Sequence, residues 1–159
     1  MKKAIIFSCI MVLLSSSFAF AQSERNGTII GTLGAGLAIR TTGTGTNVLG
    51  SSIMELNLIS KEGFTLCITD VTTFTASAAS RYMLTGTGYH YMRPRWNIGV
   101  ALLIAPMAGE LMFGGRINGG FYFTDNIGIS STLVYSRTMI GHFDFSMFNF
   151  LVGPSIRLF

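Results

Sequence analysis

Two charged residues set in otherwise apolar, alternating segments have the greatest potential for chemistry. Glu55 lies between Met54 and Leu56, and Arg116 between Gly115 and Ile117. Facing a common interior they would pair, because a buried charge without its counter-ion is strongly unfavourable. Such a pair acts either as a gate on a narrow water path or as a plug that satisfies the interior. The closest grouping to a hydrolytic site is His142, Asp144 and Ser146. A nucleophile needs a base within hydrogen-bond reach and an acid to orient that base. At spacing two on a strand these three share one face, but His142 and Ser146 stand about 13 Å apart, too far for a triad. The other histidine, His90, lies between Tyr89 and Tyr91 and reads as interfacial. Two histidines and a single cysteine outside the leader, Cys67, offer no metal-ligand spacing. Gly31-x-x-Gly34-x-Gly36 and Gly43-x-Gly45 match no phosphate or dinucleotide loop, so neither a cofactor nor a metal is expected.

The elements that must position these residues are strands. From Asn26 to Arg40, Ile29, Leu33, Ala35, Leu37 and Ile39 fall on one parity and Thr28, Thr32, Gly34, Gly36 and Ala38 on the other. Trp96 to Ile104 repeats the pattern, with Trp96, Ile98, Val100, Leu102 and Ile104 opposite Asn97, Gly99, Ala101 and Leu103. In Leu111 to Phe123, the large apolar Leu111, Phe113, Ile117, Phe121 and Phe123 oppose Met112, Gly114, Arg116, Asn118, Gly120 and Tyr122. One large apolar face and one face of small or polar residues is the period-two signature of a strand between two unlike environments. Further strand-like runs cover 52–59, 64–74, 81–91, 127–137 and 143–159, making eight. The alternation leaves open which face of 81–91 points inward. Glycines within these runs ease curvature and close approach.

The separators differ in length. Segments 60–63, 92–95 and 124–126 are tight turns rich in turn formers. Segment 41–51 reads as an eleven-residue Gly/Thr loop, and 75–80, 105–110 and 138–141 as shorter loops. Short turns at one end and longer loops at the other describe an up-and-down transmembrane meander with the short turns in the periplasm. Eight strands of about 11 residues also suit the length left after the leader.

That leader spans residues 1–21. Lys2 and Lys3, an apolar stretch from Ala4 to Leu14 and Ala19-Phe20-Ala21 form a secretory signal peptide with cleavage expected near Ala21. The remainder, 22–159, is expected to be one barrel domain. Losing two lysines leaves nine basic residues against seven acids, a charge of +2, with no cluster denser than Arg93-Pro94-Arg95. A nucleic-acid partner is therefore not expected. The chain is 49% hydrophobic and only 11% charged, well under the roughly 25% usual in soluble domains. Sixteen charges are too few to wet the outside of a soluble barrel, although a soluble periplasmic barrel remains the architectural alternative.

Taken with Phe121 to Ile129 (Phe-Tyr-Phe-Thr-Asp-Asn-Ile-Gly-Ile) and the C-terminal Phe159, these features make the chain resemble the small eight-stranded bacterial outer-membrane barrels of the OmpA-transmembrane, OmpX and OmpW type. The resemblance implies an all-β, eight-stranded antiparallel up-and-down barrel in the outer membrane, with both termini periplasmic. It implies outer-membrane lipid as surroundings and recognition of Phe159 by the barrel-insertion machinery. Counted back from Phe159, the alternate places hold Arg157, Ser155 and Gly153, while Leu158, Ile156, Val152 and Phe150 sit on the other parity; Gly153-Pro154 is read as a bulge that shifts the register. Tyr91, Trp96, Phe121 and Phe123, with Tyr122, suit an interfacial aromatic girdle. The function expected is structural or surface-interacting, with an external ligand or host surface meeting loop 41–51. A narrow channel for small or apolar solutes is the alternative. Enzymatic action on lipid A is not expected, since the His-x-Ser arrangement of the lipid A deacylases is absent.

Overall fold

The computed structural model describes residues 27–107, 110–140 and 145–158. The signal peptide, His142, Asp144 and Phe159 lie outside them. Eight strands follow in order: β1 (Thr28–Thr42), β2 (Gly45–Ile59), β3 (Phe64–Phe74), β4 (Ala79–Met92), β5 (Trp96–Met107), β6 (Glu110–Tyr122), β7 (Ile127–Ile140) and β8 (Phe145–Leu158). Each pairs antiparallel with its sequence neighbours, and β8 closes on β1. Closure pairs backbone groups between strands, which is what hydrocarbon demands of a sheet.

The registers fix the geometry. Cross-strand partners run from Gly31 through Leu56, Ile68, Thr85, Ile104, Phe113, Arg137 and Ser146 back to β1 at Thr41, ten residues beyond the start. A stagger of ten over eight strands tilts them by about 40° and leaves a lumen that side chains fill. Each residue then advances about 2.5 Å along the barrel axis, and each step to the next strand climbs about 3 Å. Thr28 and Leu158 lie at the same end as turns 60–63, 93–95 and 123–126, here called basal. Local bonds close these turns: the Gly63 amide donates to the Ser60 carbonyl at 3.0 Å, and the Ile127 amide to Thr124 Oγ1 at 2.9 Å.

Alternation is carried through. Leu33, Leu37, Ile98, Val100, Leu102, Ile117, Phe148, Phe150 and Ile156 all face out and are exposed, whereas Thr32, Asn57, Ala101, Leu103, Asn118 and Asn149 face in and are buried. The outward band from Trp96 and Leu158 up to Ile39 and Phe74 is about 25 Å tall, the height of a hydrocarbon layer.

Two expectations from the sequence are corrected, and one question it leaves open is answered. Residues 41–51 are not a loop: β1 and β2 pair continuously to Thr42↔Gly45, leaving a two-residue turn at 43–44. The Gly/Thr composition suggests a loop, but threonine is β-branched and suits a strand whose two faces are both solvated. Residues 153–154 hold no register shift, because Ser130↔Gly153 and Ile129↔Pro154 continue the same count as the rest of the β7–β8 ladder. Proline's missing donor interrupts only the β1 side, where pairing skips from Thr32↔Ser155 to Ala35↔Val152. Strand β4 also resolves its open face, with Tyr82, Leu84 and His90 inward.

One ladder stops early. Among the described residues β4 and β5 pair only from Thr85↔Ile104 to Met92↔Asn97, and Ala79–Leu84 pairs with β3 alone. Pro106, two residues beyond Ile104, has no N–H to extend the ladder. Amide hydrogen exchange should therefore be faster over 79–84 than over 85–92 of the same strand. Equal protection along β4 would show the seam to be closed.

Candidate functional site in the barrel lumen

The lumen is the part of the molecule where polar chemistry is concentrated. At its centre Arg116 Nη1 of β6 donates to Glu55 Oε1 of β2 at 2.5 Å, and both side chains are wholly buried. These strands stand on opposite walls, and the stagger places the two residues within about 3 Å of one height. Glu55 Oε2 accepts from Thr132 Oγ1 at 2.8 Å. Arg116 Nη2 donates to Asn57 Oδ1 at 2.6 Å, and its Nη1 also reaches Thr69 Oγ1 at 3.4 Å. Four strands thus converge on one ion pair, whose remaining lone pairs and protons are largely taken by neutral partners. That is the condition under which a buried pair is tolerated.

Distal to this layer, one apolar cluster fills the barrel. Ala38, Ile53, Val71, Leu84, Leu103, Met112, Val134 and Leu151, one from each strand in turn, belong to it, and all are buried. Tyr82 and Met147 lie in the same cluster, where Asn149 Nδ2 donates to Tyr82 Oη at 3.1 Å and Ser51 Oγ to Asn149 Oδ1 at 3.1 Å. Cys67 is buried against it and unbridged.

The basal mouth is closed by Arg157. Its guanidinium sits 4.2 Å from the Tyr122 ring centroid and donates to the carbonyls of Asp125 (3.0 Å), Arg93 (3.1 Å) and Pro94 (2.6 Å), tying two turns together. Beneath it, Tyr122 Oη accepts from Asn97 Nδ2 at 3.0 Å and lies 3.3 Å from Ser155 Oγ.

Two aromatic-flanked residues that the sequence suggests are interfacial lie in the interior. His90 is 1% exposed, with Nδ1 2.8 Å from Thr65 Oγ1. It shares parity with Leu84, while Tyr89 and Tyr91 occupy the wall. Gly99 makes room for it, since a Cβ there would collide with the His90 ring and the Asn118 amide. Tyr122 is likewise buried, because Phe121 and Phe123 take the outward parity. Tyr91, Trp96, Phe121 and Phe123 do face out at the basal end, Tyr91 against Trp96 at 5.6 Å and Phe121 against Phe123 at 5.7 Å. Ser146 lies on the outward parity of β8, away from the lumen.

Arg157 and Asn149 are interior partners that the sequence does not single out, their signal being parity alone. For His90 the alternation of 81–91 leaves the inward face open, and the adjoining tyrosines suggest the interface.

No protein-family model matches the chain, nor does any curated protein sequence. Among solved structures it is similar to Neisserial surface protein A, NspA (TM-score 0.60, 12% identity, 83% of this chain and 99% of that one). It is also similar to Ail, the attachment invasion locus protein of Yersinia pestis, alone (TM-score 0.56, 11% identity, 85% and 100%) and with the heparin analogue sucrose octasulfate (TM-score 0.57, 8% identity, 84% and 99%). The chain has the fold of the small eight-stranded outer-membrane barrels. At these identities the likeness concerns architecture.

Replacing Glu55 with Ala leaves Arg116 buried without its counter-ion and should cost about 3–5 kcal/mol. Urea unfolding from lipid vesicles measures this. Replacing Glu55 with Leu and Arg116 with Met together should cost much less than either single change, and equal costs would show the pair to be uncoupled. Gly99→Ala, which forces His90 aside, should cost about 1–3 kcal/mol in the same assay.

Proposed function

We propose that this protein is a non-conducting, non-enzymatic integral barrel of the bacterial outer membrane that acts at the cell surface. The observation that carries this reading is the apolar cluster to which all eight strands contribute, lying across the lumen distal to the Glu55–Arg116 layer. A water path has to break both, whereas a plug needs neither to move. On this reading Glu55 and Arg116 are the plug and not a gate, and the channel alternative is set aside.

The outward apolar band and the basal aromatics support a barrel seated in lipid. The basal end faces the periplasm, residues 1–21 are removed on export, and Phe159 is the residue offered to the insertion machinery. The distal end then faces outward. There the β1–β2 hairpin stands above β3, which begins to pair with β2 only at Gly50↔Phe74, while β8 flanks β1 up to Thr42↔Phe145. The exposed Thr46, Asn47 and Val48 belong to the part of β2 that rises beyond that point. This hairpin replaces the 41–51 loop as the contact element. Ail carries a heparin analogue in its solved structure, and we extend to this chain the class of function, contact with an external ligand.

Planar-bilayer recording tests the plug. The native protein and Glu55→Ala should both show no stepwise conductance, since the distal apolar cluster remains in the variant. Discrete openings in the native protein would overturn the reading.

A further inference from the structure

A second ion pair lies on the outside of the wall. Asp70 is on the outward parity of β3 with Ile68 and Phe74, and Arg81 on that of β4 with Met83 and Tyr89. Arg81 Nε donates to both carboxylate oxygens of Asp70 at 2.9 Å, and its Nη2 bonds Oδ2 as well. Arg81's side chain is 70% exposed and Asp70's 10%, and Nη1 has no hydrogen bond among the described residues. Thr72 stands above Asp70 on the same face, and Thr85 and Thr87 below Arg81. At comparable heights the other walls show Leu37, Leu102, Phe113, Tyr135 and Phe150. An ion pair facing hydrocarbon is costly, and polar groups there drive association between membrane proteins.

We propose that the β3–β4 wall is a homodimer interface, occupied by the same wall of a second copy. Its charges are self-complementary. A two-fold axis along the membrane normal between β3 and β4 sets β3 of each copy against β4 of the other at equal height. Asp70 of one copy then meets Arg81 of the second, and the two intrachain pairs become a ring of alternating charges. Arg81 Nη1, unoccupied among the described residues, supplies the donor that crosses the interface. Thr85 and Thr87 are short enough to let the two sheets approach. The contact also braces β4 where, among the described residues, Ala79–Leu84 has no pairing to β5. The proposal rests on the barrel's placement in the membrane and is independent of whether the lumen conducts.

The full chain is reconstituted in lipid vesicles in a Cys67→Ala background, with a single cysteine at Thr87→Cys or, on the far wall, at Val152→Cys. Heat-modifiable gel mobility confirms first that each variant has folded into the membrane; failure there in the parent would defeat the placement and not the interface. A short bis-maleimide should give a covalent dimer at Thr87→Cys and at least tenfold less at Val152→Cys. Adding Asp70→Asn should lower the dimer yield at least tenfold, and the reversed double variant Asp70→Arg with Arg81→Asp should restore it. The reversal keeps the test decisive if Asp70→Asn alone fails to fold. Equal cross-linking at both positions, undiminished dimer in a folded Asp70→Asn variant, or monomer throughout would overturn the proposal. So would a monomer that retains phosphate-bearing lipid through Arg81, which would assign the strip to lipid.

Discussion

A polypeptide backbone in hydrocarbon finds no water to bond, so its N–H and C=O groups must pair with one another. In this chain that demand is met by eight strands joined edge to edge, and the shape of the molecule is largely set by their pairing. Closure with a stagger of ten residues sets the tilt, the tilt sets the bore, and the bore admits side chains but no open water column. The chain must therefore fill its own interior while presenting an apolar exterior, and the two-residue period of a strand lets one sequence satisfy both.

The filling is divided by height. Near the basal end, tyrosine, asparagine, serine and threonine bond across the lumen beneath Arg157, which gathers carbonyls from two turns. The central layer is a charge pair from opposite walls with neutral hydroxyl and amide partners. The distal layer is mostly apolar, with Asn149 bonded to Tyr82 and Ser51 within it. A charge pair is an expensive way to fill space compared with hydrophobic residues of the same volume, but it is also directional. Arg116 reaches Glu55 and Asn57 only if β2 and β6 are in register, so the pair specifies the stagger as well as occupying the bore.

Much of this architecture is legible in the sequence because period two is a strong local signal. Strand β3 has the bounds its alternation suggests, and the inward placement of Glu55 and Arg116 follows from counting parity. Composition misleads where it stands in for parity. Gly-Thr repeats at 41–51 look like a loop, yet they extend two strands, since above the membrane neither face needs to be apolar. His90 and Tyr122 look interfacial because aromatic neighbours surround them, although the parity of Tyr122 points inward and that of His90 is left open by its strand's weak alternation. The early end of the β4–β5 ladder has one local mark, Pro106 without an N–H to donate, but alternation alone does not show which ladder that proline shortens. The outward Asp70–Arg81 pair joins residues from two strands and becomes visible only once their register is known.

Everything in this account turns on alternate residues facing lipid and a sealed interior. Nitroxide labels placed singly from Ile98 to Leu103 on β5, in vesicles, measure it directly through collision with dissolved oxygen and with a water-soluble nickel chelate. Positions 98, 100 and 102 should be open to oxygen and closed to the chelate, and positions 99, 101 and 103 closed to both. Chelate access at the odd positions would mean a water-filled lumen, chelate access at the even positions a soluble barrel, and either would contradict the account.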